Sequence, residues 1–152
     1  MDASCTVRPL ATADRGDWQR LYTGYLEHYK LVLRESQLDR VWQWLNNPSS
    51  GLEGFVAETS DGRVLGLAHC RAVLSPSAAC VDGFLEDLFV DPDHRGRGIA
   101  DLLLVALRDL AKARGWSVLQ WMTADDNYRA RGKYDQYAQR TGWLIYEMTT
   151  QD

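Results

Sequence analysis

One run of elements in the middle of the chain constrains the fold more than any other feature. The segment Val81–Val90 predicts a strand, and Asp91-Pro92-Asp93 ends it because proline removes a donor from the ladder. Gly98–Arg114 follows with apolar residues at three- and four-residue intervals, the spacing of an amphipathic helix. Ser117–Thr123 predicts a further strand. A strand, a helix and a strand in this order imply a right-handed crossover and parallel pairing.

Other segments predict elements on both sides of this unit. Gly54–Thr59 and Arg63–Val73 favour an antiparallel hairpin, because Ser60-Asp61-Gly62 between them suits a tight turn. Together with the parallel unit, this hairpin predicts a mixed sheet in a single α/β domain over residues 1–152. The remaining predicted elements are a strand over Thr6–Leu10, helices from Asp14, over Ser36–Leu45 and over Asn127–Arg140, and a last strand over Trp143–Thr149.

The loop that joins the predicted strand to the long helix has the composition of an anion site. Arg95-Gly96-Arg97-Gly98 leads directly into Ile99 and Ala100 at the start of the helix. The first amides of a helix have no internal partners and carry partial positive charge. Glycines let the backbone approach an anion closely, and arginines add a charge that suits phosphate. The loop therefore predicts a phosphate or diphosphate site.

The spacing of glycines in the loop distinguishes it from two common phosphate-binding motifs. It lacks the lysine and the spacing of the P-loop, and Asp101 stands where the dinucleotide fingerprint needs its third glycine. The string Arg95–Ala100 fits [QR]-x-x-G-x-[GA] and resembles the motif with which the GNAT superfamily of N-acetyltransferases binds the diphosphate of acetyl-CoA. The resemblance implies a mostly antiparallel sheet with helices on both faces and a transferase that uses acetyl-CoA.

A weaker resemblance follows in the last third of the chain. In the family, an Asn contacts the pantetheine arm of the cofactor and a Tyr on the next helix faces the thioester sulfur. These positions match Asn127 and Tyr134, which would make Tyr134 both a cofactor contact and the general acid. The chain departs from the pattern at Lys133, where an aliphatic residue is usual, and Tyr137 is an alternative for the acid.

The resemblance also implies which residues hold the acyl end of the cofactor. Backbone N–H groups of a strand that diverges from its neighbour hold the acyl carbonyl in the family. They correspond to the residues around Leu88, Phe89 and Val90.

Two adjacent carboxylates in an otherwise apolar strand suggest where the amine binds. Glu86 and Asp87 are candidate substrate contacts, and Glu86 is the predicted base, directly or through water. Strand alternation sends their side chains to opposite faces, so at most one is expected to face the substrate. A salt bridge or helix cap is the alternative for both. Tyr25 and Tyr29 are predicted substrate contacts on the first helix, although aromatic residues at helical spacing usually belong to a core.

The composition narrows the class of partner. A net charge of −4 argues against a nucleic-acid binder and suits a cationic substrate. The three histidines lack zinc-ligand spacing, which predicts no metal, and the odd number of cysteines predicts free thiols in a reducing compartment. The first residues do not resemble a secretory signal, and no apolar run approaches the ~20 residues of a membrane span. We therefore expect a cytoplasmic protein without a membrane partner.

Three functions fit these residues. The first is acetylation of a small amine, such as a polyamine or an amino-acid derivative, by direct transfer. The second is the same chemistry on protein lysines or N-termini, and the third is a noncatalytic acyl-CoA-binding regulatory module. The third would not need Tyr134 and Glu86, so their presence favours an enzyme. A homodimer is the commonest assembly for such an enzyme.

Overall fold

A five-stranded sheet orders its strands as the chain does, from β1 to β5. The first four strands pair antiparallel and the last pair is parallel, so the predicted mixed, mostly antiparallel sheet is confirmed. The computed structural model describes residues 4–151. The strands are β1 (Cys5–Pro9), β2 (Leu52–Thr59), β3 (Val64–Ser75), β4 (Cys80–Val90) and β5 (Leu119–Gln120).

Helices cover both faces of this sheet, as expected. The helices are α1 (Arg15–His28), α2 (Glu35–Leu45), α3 (Ile99–Arg114) and, after the sheet, α4 (Tyr128–Tyr134). Trp18, Leu21 and Leu38 of α1 and α2 form one core with Val56 and Leu67 of the sheet. The buried stripe of α3, which includes Leu103 and Leu107, covers the opposite face. Within residues 4–151, none of the helices combines the length and apolar composition that a membrane span needs.

The described chain divides after Trp121 into two compact units. The larger contains the sheet and α1 to α3, and the smaller contains α4. A single domain over residues 1–152 stays a prediction.

The elements near the C-terminus are shorter than predicted. The strand over Ser117–Thr123 is reduced to two residues, and the helix over Asn127–Arg140 to seven. The predicted strand over Trp143–Thr149 is wrong, because these residues form neither helix nor strand, and Trp143 is 87% exposed. Alternating apolar residues show only that a segment can pair. A strand forms where a neighbouring backbone accepts its hydrogen bonds.

A glycine on β3 sets how closely α3 approaches the sheet. A Cβ at Gly66 would lie 3.1 Å from Ile99 Cγ2, 3.2 Å from Leu103 Cδ1 and 3.3 Å from the carbonyl oxygen of Phe89. A larger residue would push the first turn of α3 away from β3 and β4. The position of the loop before α3 therefore depends on this contact.

We expect Gly66→Val to lower the free energy of unfolding by about 1–3 kcal/mol, because the added methyl groups overpack this contact. Urea denaturation measures the loss. Gly16→Ala is the control, since a Cβ there meets no atom within 4 Å, and a change from Gly to Ala near the start of α1 should leave stability unchanged or raise it by up to about 1 kcal/mol. Equal stability of the two variants would show that α3 does not rest on Gly66.

Candidate active site

The loop between β4 and α3 has the backbone of an anion site. A short 3₁₀ turn over Pro92–His94 follows β4, and both Gly96 and Gly98 have positive φ, 76° and 78°. In this region only glycine avoids a steric penalty. Leu102 donates its N–H to the carbonyl of Gly98 at 3.0 Å. The amides of Ile99 and the two residues after it precede that bond, at the positive end of a 16-residue helix.

The space beside the two glycines of the loop is open. A Cβ built on Gly96 or Gly98 meets no atom within 4 Å. The Arg95 and Arg97 side chains are exposed, and the Arg95 guanidinium lies 5.3 Å from the centre of the Phe89 ring. The backbone, the space and the charge together fit a diphosphate group.

The end of β4 diverges from its parallel neighbour. The pairing of β4 with β5 covers Gly83 and Phe84, and β5 ends while β4 continues to Val90. Asp91 donates its N–H to Leu65 on β3 at 2.8 Å. Because donors alternate along an antiparallel strand, the N–H groups of Leu88 and Val90 point away from β3 and that of Phe89 points toward it. The backbone of Leu88 and Val90 is therefore turned toward the side on which β5 has ended.

A β-bulge in β4 changes where the two carboxylates point. His69 pairs with Asp87 and Cys70 pairs with Leu85, so Glu86 is an extra residue on β4. The expectation that alternation separates Glu86 from Asp87 is wrong, since both side chains line the same cleft. The bulge breaks the period of two on which that expectation rested.

We call this depression the acidic cleft. It has a volume of about 620 Å³ and lies between α1, α2 and the strands β3 and β4. Tyr22, Glu86 and Asp87 contribute its aromatic and acidic surface. Its other lining residues are Val41, Trp44, Asn47, Ser49, Ser50, Leu52, His69 and Arg71.

The two carboxylates have different partners. Glu86 forms an ion pair with Arg71, whose side chain is 46% exposed. Asp87 lies 2.8 Å from Nδ1 of His69 and faces the phenol of Tyr25. Burial, followed by the charge of Asp87, raises the pKa values of Tyr22 and Tyr25 well above the usual range, so both phenols keep their protons at neutral pH.

The predicted tyrosines of α1 have unequal positions. Tyr25 contacts Asp87 and packs edge-on against Phe89, with ring centres 6.3 Å apart. Tyr29 is 41% exposed and lies beside Tyr25, and neither of the two is among the residues that line the acidic cleft. Tyr22, one helical turn before Tyr25, does line the cleft.

Asn127 and Tyr134 belong to the smaller unit. The Asn127 side chain caps α4 by accepting a hydrogen bond from the Ala130 N–H at 3.3 Å. Tyr134 is the last residue of α4 and is half-buried, whereas Tyr137 follows the helix and is 38% exposed. Their roles toward a cofactor stay predictions.

Sequence reasoning did not single out His69, Arg71 or the residues of α2. His69 sits in an apolar strand run without ligand spacing, and its partner Asp87 is 18 residues away. The pairing register of β3 with β4 brings them together. A signal existed in the two polar residues at positions 69 and 71 of a hydrophobic strand, but it does not identify the partner.

Comparisons with known proteins identify the family to which the chain is similar. The model of the Acetyltransferase (GNAT) family matches residues 18–138. The D-amino-acid N-acetyltransferase of Saccharomyces cerevisiae is 24% identical over 142 residues, which cover 93% of this chain and 88% of that protein. An uncharacterised N-acetyltransferase of Bacillus subtilis is 27% identical over 92% of this chain and 94% of its own.

Solved structures share the fold. The ribosomal-protein-alanine N-acetyltransferase of Brucella melitensis has a TM-score of 0.77 at 24% identity, covering 96% of this chain and 99% of that one. A possible acetyltransferase of Clostridium difficile has a TM-score of 0.85 at 14% identity, with coverage of 97% and 99%. The chain therefore belongs to the GNAT family, and it is an acyltransferase that carries out N-acetyl transfer.

Proposed function

We propose that this enzyme transfers the acetyl group of acetyl-CoA directly to the primary amine of a small molecule, such as a polyamine or an amino-acid derivative. The observation that carries the proposal is the acidic cleft, where Glu86 and Asp87 stand together beside the diverging end of β4. Its volume of about 620 Å³ falls in the range of small-molecule sites. A negative, partly aromatic cleft suits an ammonium group.

The loop before α3 is the proposed cofactor site. The amides of Gly96 to Ala100 and the guanidinium groups of Arg95 and Arg97 would hold the diphosphate, with Asn127 on the pantetheine arm. Acetyl-CoA supplies the activated acetyl group when it is bound. Backbone groups of Leu88, Phe89 and Val90 would hold the acyl end, with the N–H groups of Leu88 and Val90 directed away from β3.

The two carboxylates of the cleft would have different roles toward the amine. Asp87 would hold the ammonium, because its carboxylate faces the cleft and lies beside the neutral phenol of Tyr25. Glu86 would accept the proton, directly or through water, since an amine must be neutral to attack. Its partner Arg71 is half-exposed, and exposed ion pairs contribute little stability, so the pair can open.

One further assignment comes from the family resemblance, and another comes from the aromatic residues of α1. Tyr134 would donate a proton to the leaving thiolate, with Tyr137 as the alternative, and Tyr29 would contact the substrate at the outer side of Tyr25. A cytoplasmic location, the absence of a nucleic-acid partner and a homodimer stay predictions.

The substrate class is tested by measuring thiol release from acetyl-CoA with a panel of acceptors. The panel contains spermidine, D- and L-amino acids, lysine-containing peptides and peptides that begin with alanine. We expect turnover with spermidine or with an amino acid, and little turnover with either kind of peptide. The yeast relative is named for D-amino acids and the Brucella structure for a ribosomal protein, so the panel includes both classes. Turnover with peptides alone would replace this proposal by protein acetylation.

The two carboxylates should respond differently to neutral replacement. Asp87→Asn is expected to raise KM for the amine at least about tenfold, because it removes a charged partner. Glu86→Gln is expected to lower kcat about 10²- to 10⁴-fold at neutral pH, as loss of a general base does. Steady-state kinetics separate the two effects. Loss of kcat in Asp87→Asn with an unchanged KM would assign the base to Asp87 instead.

The cofactor loop is tested at both ends of α3. Gly98→Trp should lower the affinity for coenzyme A at least about tenfold, since the indole would fill the space in front of the helix amides. Gly115→Trp is the matched control, because Gly115 has a φ of 72° and an open Cβ direction at the other end of the helix, about 24 Å away. Isothermal titration measures binding after thermal melts confirm folding. Equal affinities would refute the cofactor assignment.

Tyr134→Phe should slow turnover about 10²-fold or more while the Kd for acetyl-CoA changes little, because the variant loses only a proton donor. Tyr137→Phe is the comparison. A larger loss of kcat in Tyr137→Phe would move the acid to that residue, and full activity of both variants would leave the proton to water.

A further inference from the structure

A chain of three side chains connects the hydrophobic core to the acidic cleft. The indole Nε1 of Trp18 lies 3.0 Å from Nε2 of His69, and the Nδ1 of His69 lies 2.8 Å from Asp87 Oδ2. Trp18 is fully buried, His69 is 1% exposed and the Asp87 side chain is 17% exposed. The chain therefore runs from α1 through β3 to β4 and reaches solvent only at the carboxylate.

The partners determine where the proton of His69 resides. An indole N–H only donates, so Nε2 of His69 must present its lone pair to Trp18. The single proton of the neutral ring is then on Nδ1, where it is donated to Asp87. A second proton on Nε2 would face the indole N–H at 3.0 Å, and both side chains are buried, so two donors would be left opposed without an acceptor between them. The geometry thus favours one neutral tautomer.

The neutral ring leaves the charge of Asp87 uncompensated. Among the side chains of residues 4–151, His69 is the basic group within ion-pair distance of Asp87. Arg71 on β3 is engaged with Glu86 on β4, and Arg15 on α1 lies over the rings of Trp18 and Trp42 and pairs with Asp39. The other titratable groups that face Asp87 are the protonated phenols of Tyr22 and Tyr25 on α1.

We propose that Trp18 is a positioning residue that keeps His69 neutral by donating to its Nε2, so that Asp87 retains a full negative charge for the ammonium of the acceptor. This role rests on the proposed function, since it gives Asp87 an amine to hold. An imidazolium at position 69 would form a closed ion pair with Asp87 and compete with the substrate. The indole N–H therefore acts on substrate affinity from a position that no substrate reaches.

The hydrogen-bond chain is tested on the wild-type protein without any substrate. Nitrogen-15 NMR of the histidine rings at about pH 6 should show His69 of the wild type as the Nδ1–H tautomer, with its Nε2 accepting from Trp18. At the same pH, the spectrum of Trp18→Phe should show a second proton on His69. A wild-type His69 that carries a proton on Nε2 at that pH would overturn the proposal. Because the wild-type measurement needs no variant, it stands if Trp18→Phe fails to fold.

The effect on substrate is tested by kinetics at two pH values. The substrate is spermidine or, if spermidine is not acetylated, the aliphatic amine of the panel with the lowest KM. At about pH 8 the KM of Trp18→Phe for this amine should lie within about twofold of the wild-type KM. At about pH 6 its KM should be raised about tenfold relative to wild type, because His69 is then charged. A purely structural role would change KM and kcat equally at both pH values, and that result would overturn the proposal.

Trp42→Phe is the matched control. The Trp42 ring centre lies 5.1 Å from that of Trp18, in the same core, and its removal leaves the N–H of Trp18 in place. We expect it to show neither the titration of His69 nor the pH-dependent KM. A Trp42→Phe variant with the same pH-dependent KM would refute the specific role of Trp18.

Different results would overturn the proposed substrate class and the proposed role of Trp18. A wild-type enzyme that acetylates none of the aliphatic amines would overturn the proposed substrate class and the role of Asp87 together. A wrong tautomer would overturn the role of Trp18 while the substrate class stands.

Discussion

The pairing of β3 with β4 is the constraint on which the rest of the structure depends. This ladder is the longest in the sheet, and α1 packs on one of its faces while α3 packs on the other. Gly66 lets Ile99 approach from the α3 side, and Leu67 joins the core from the α1 side. Because both helices rest on the same two strands, β3 and β4 position both the acidic cleft and the loop before α3, which is proposed to bind the cofactor.

The β-bulge at Glu86 in that ladder changes the charge of the acidic cleft. A regular strand would turn one of two adjacent carboxylates toward the α3 face of the sheet, away from the acidic cleft. The extra residue at Glu86 instead brings both to the acidic cleft, where each has a distinct partner. Bulges that redirect a side chain are common next to active sites. Here the bulge concentrates negative charge where a cationic acceptor is proposed to bind.

Burial and hydrogen bonding act together at Trp18, His69 and Asp87. A buried imidazole is costly unless both of its nitrogens have partners, and here each has one. The same contacts that satisfy the ring also select its tautomer. A structural requirement of the core and an electrostatic property of the cleft therefore have one physical origin, and the GNAT fold accommodates both on its central strands.

Local chemistry allowed much of this protein to be predicted from its sequence. The long helix, the hairpin and the glycine loop depend on periodicity, on proline and on glycine conformations, which act over a few residues. The predicted bounds of β1 to β4 and of α1 to α3 agree with the structure to within a few residues, and the family resemblance rested on the same glycine loop.

Tertiary structure decided the features that neighbouring residues in the sequence cannot specify. The bulge at Glu86, the pairing of His69 with Asp87 and the bond from Trp18, 51 residues distant from His69, all follow from strand register and helix packing. The last strand did not form, because pairing requires a neighbouring backbone as well as a suitable sequence.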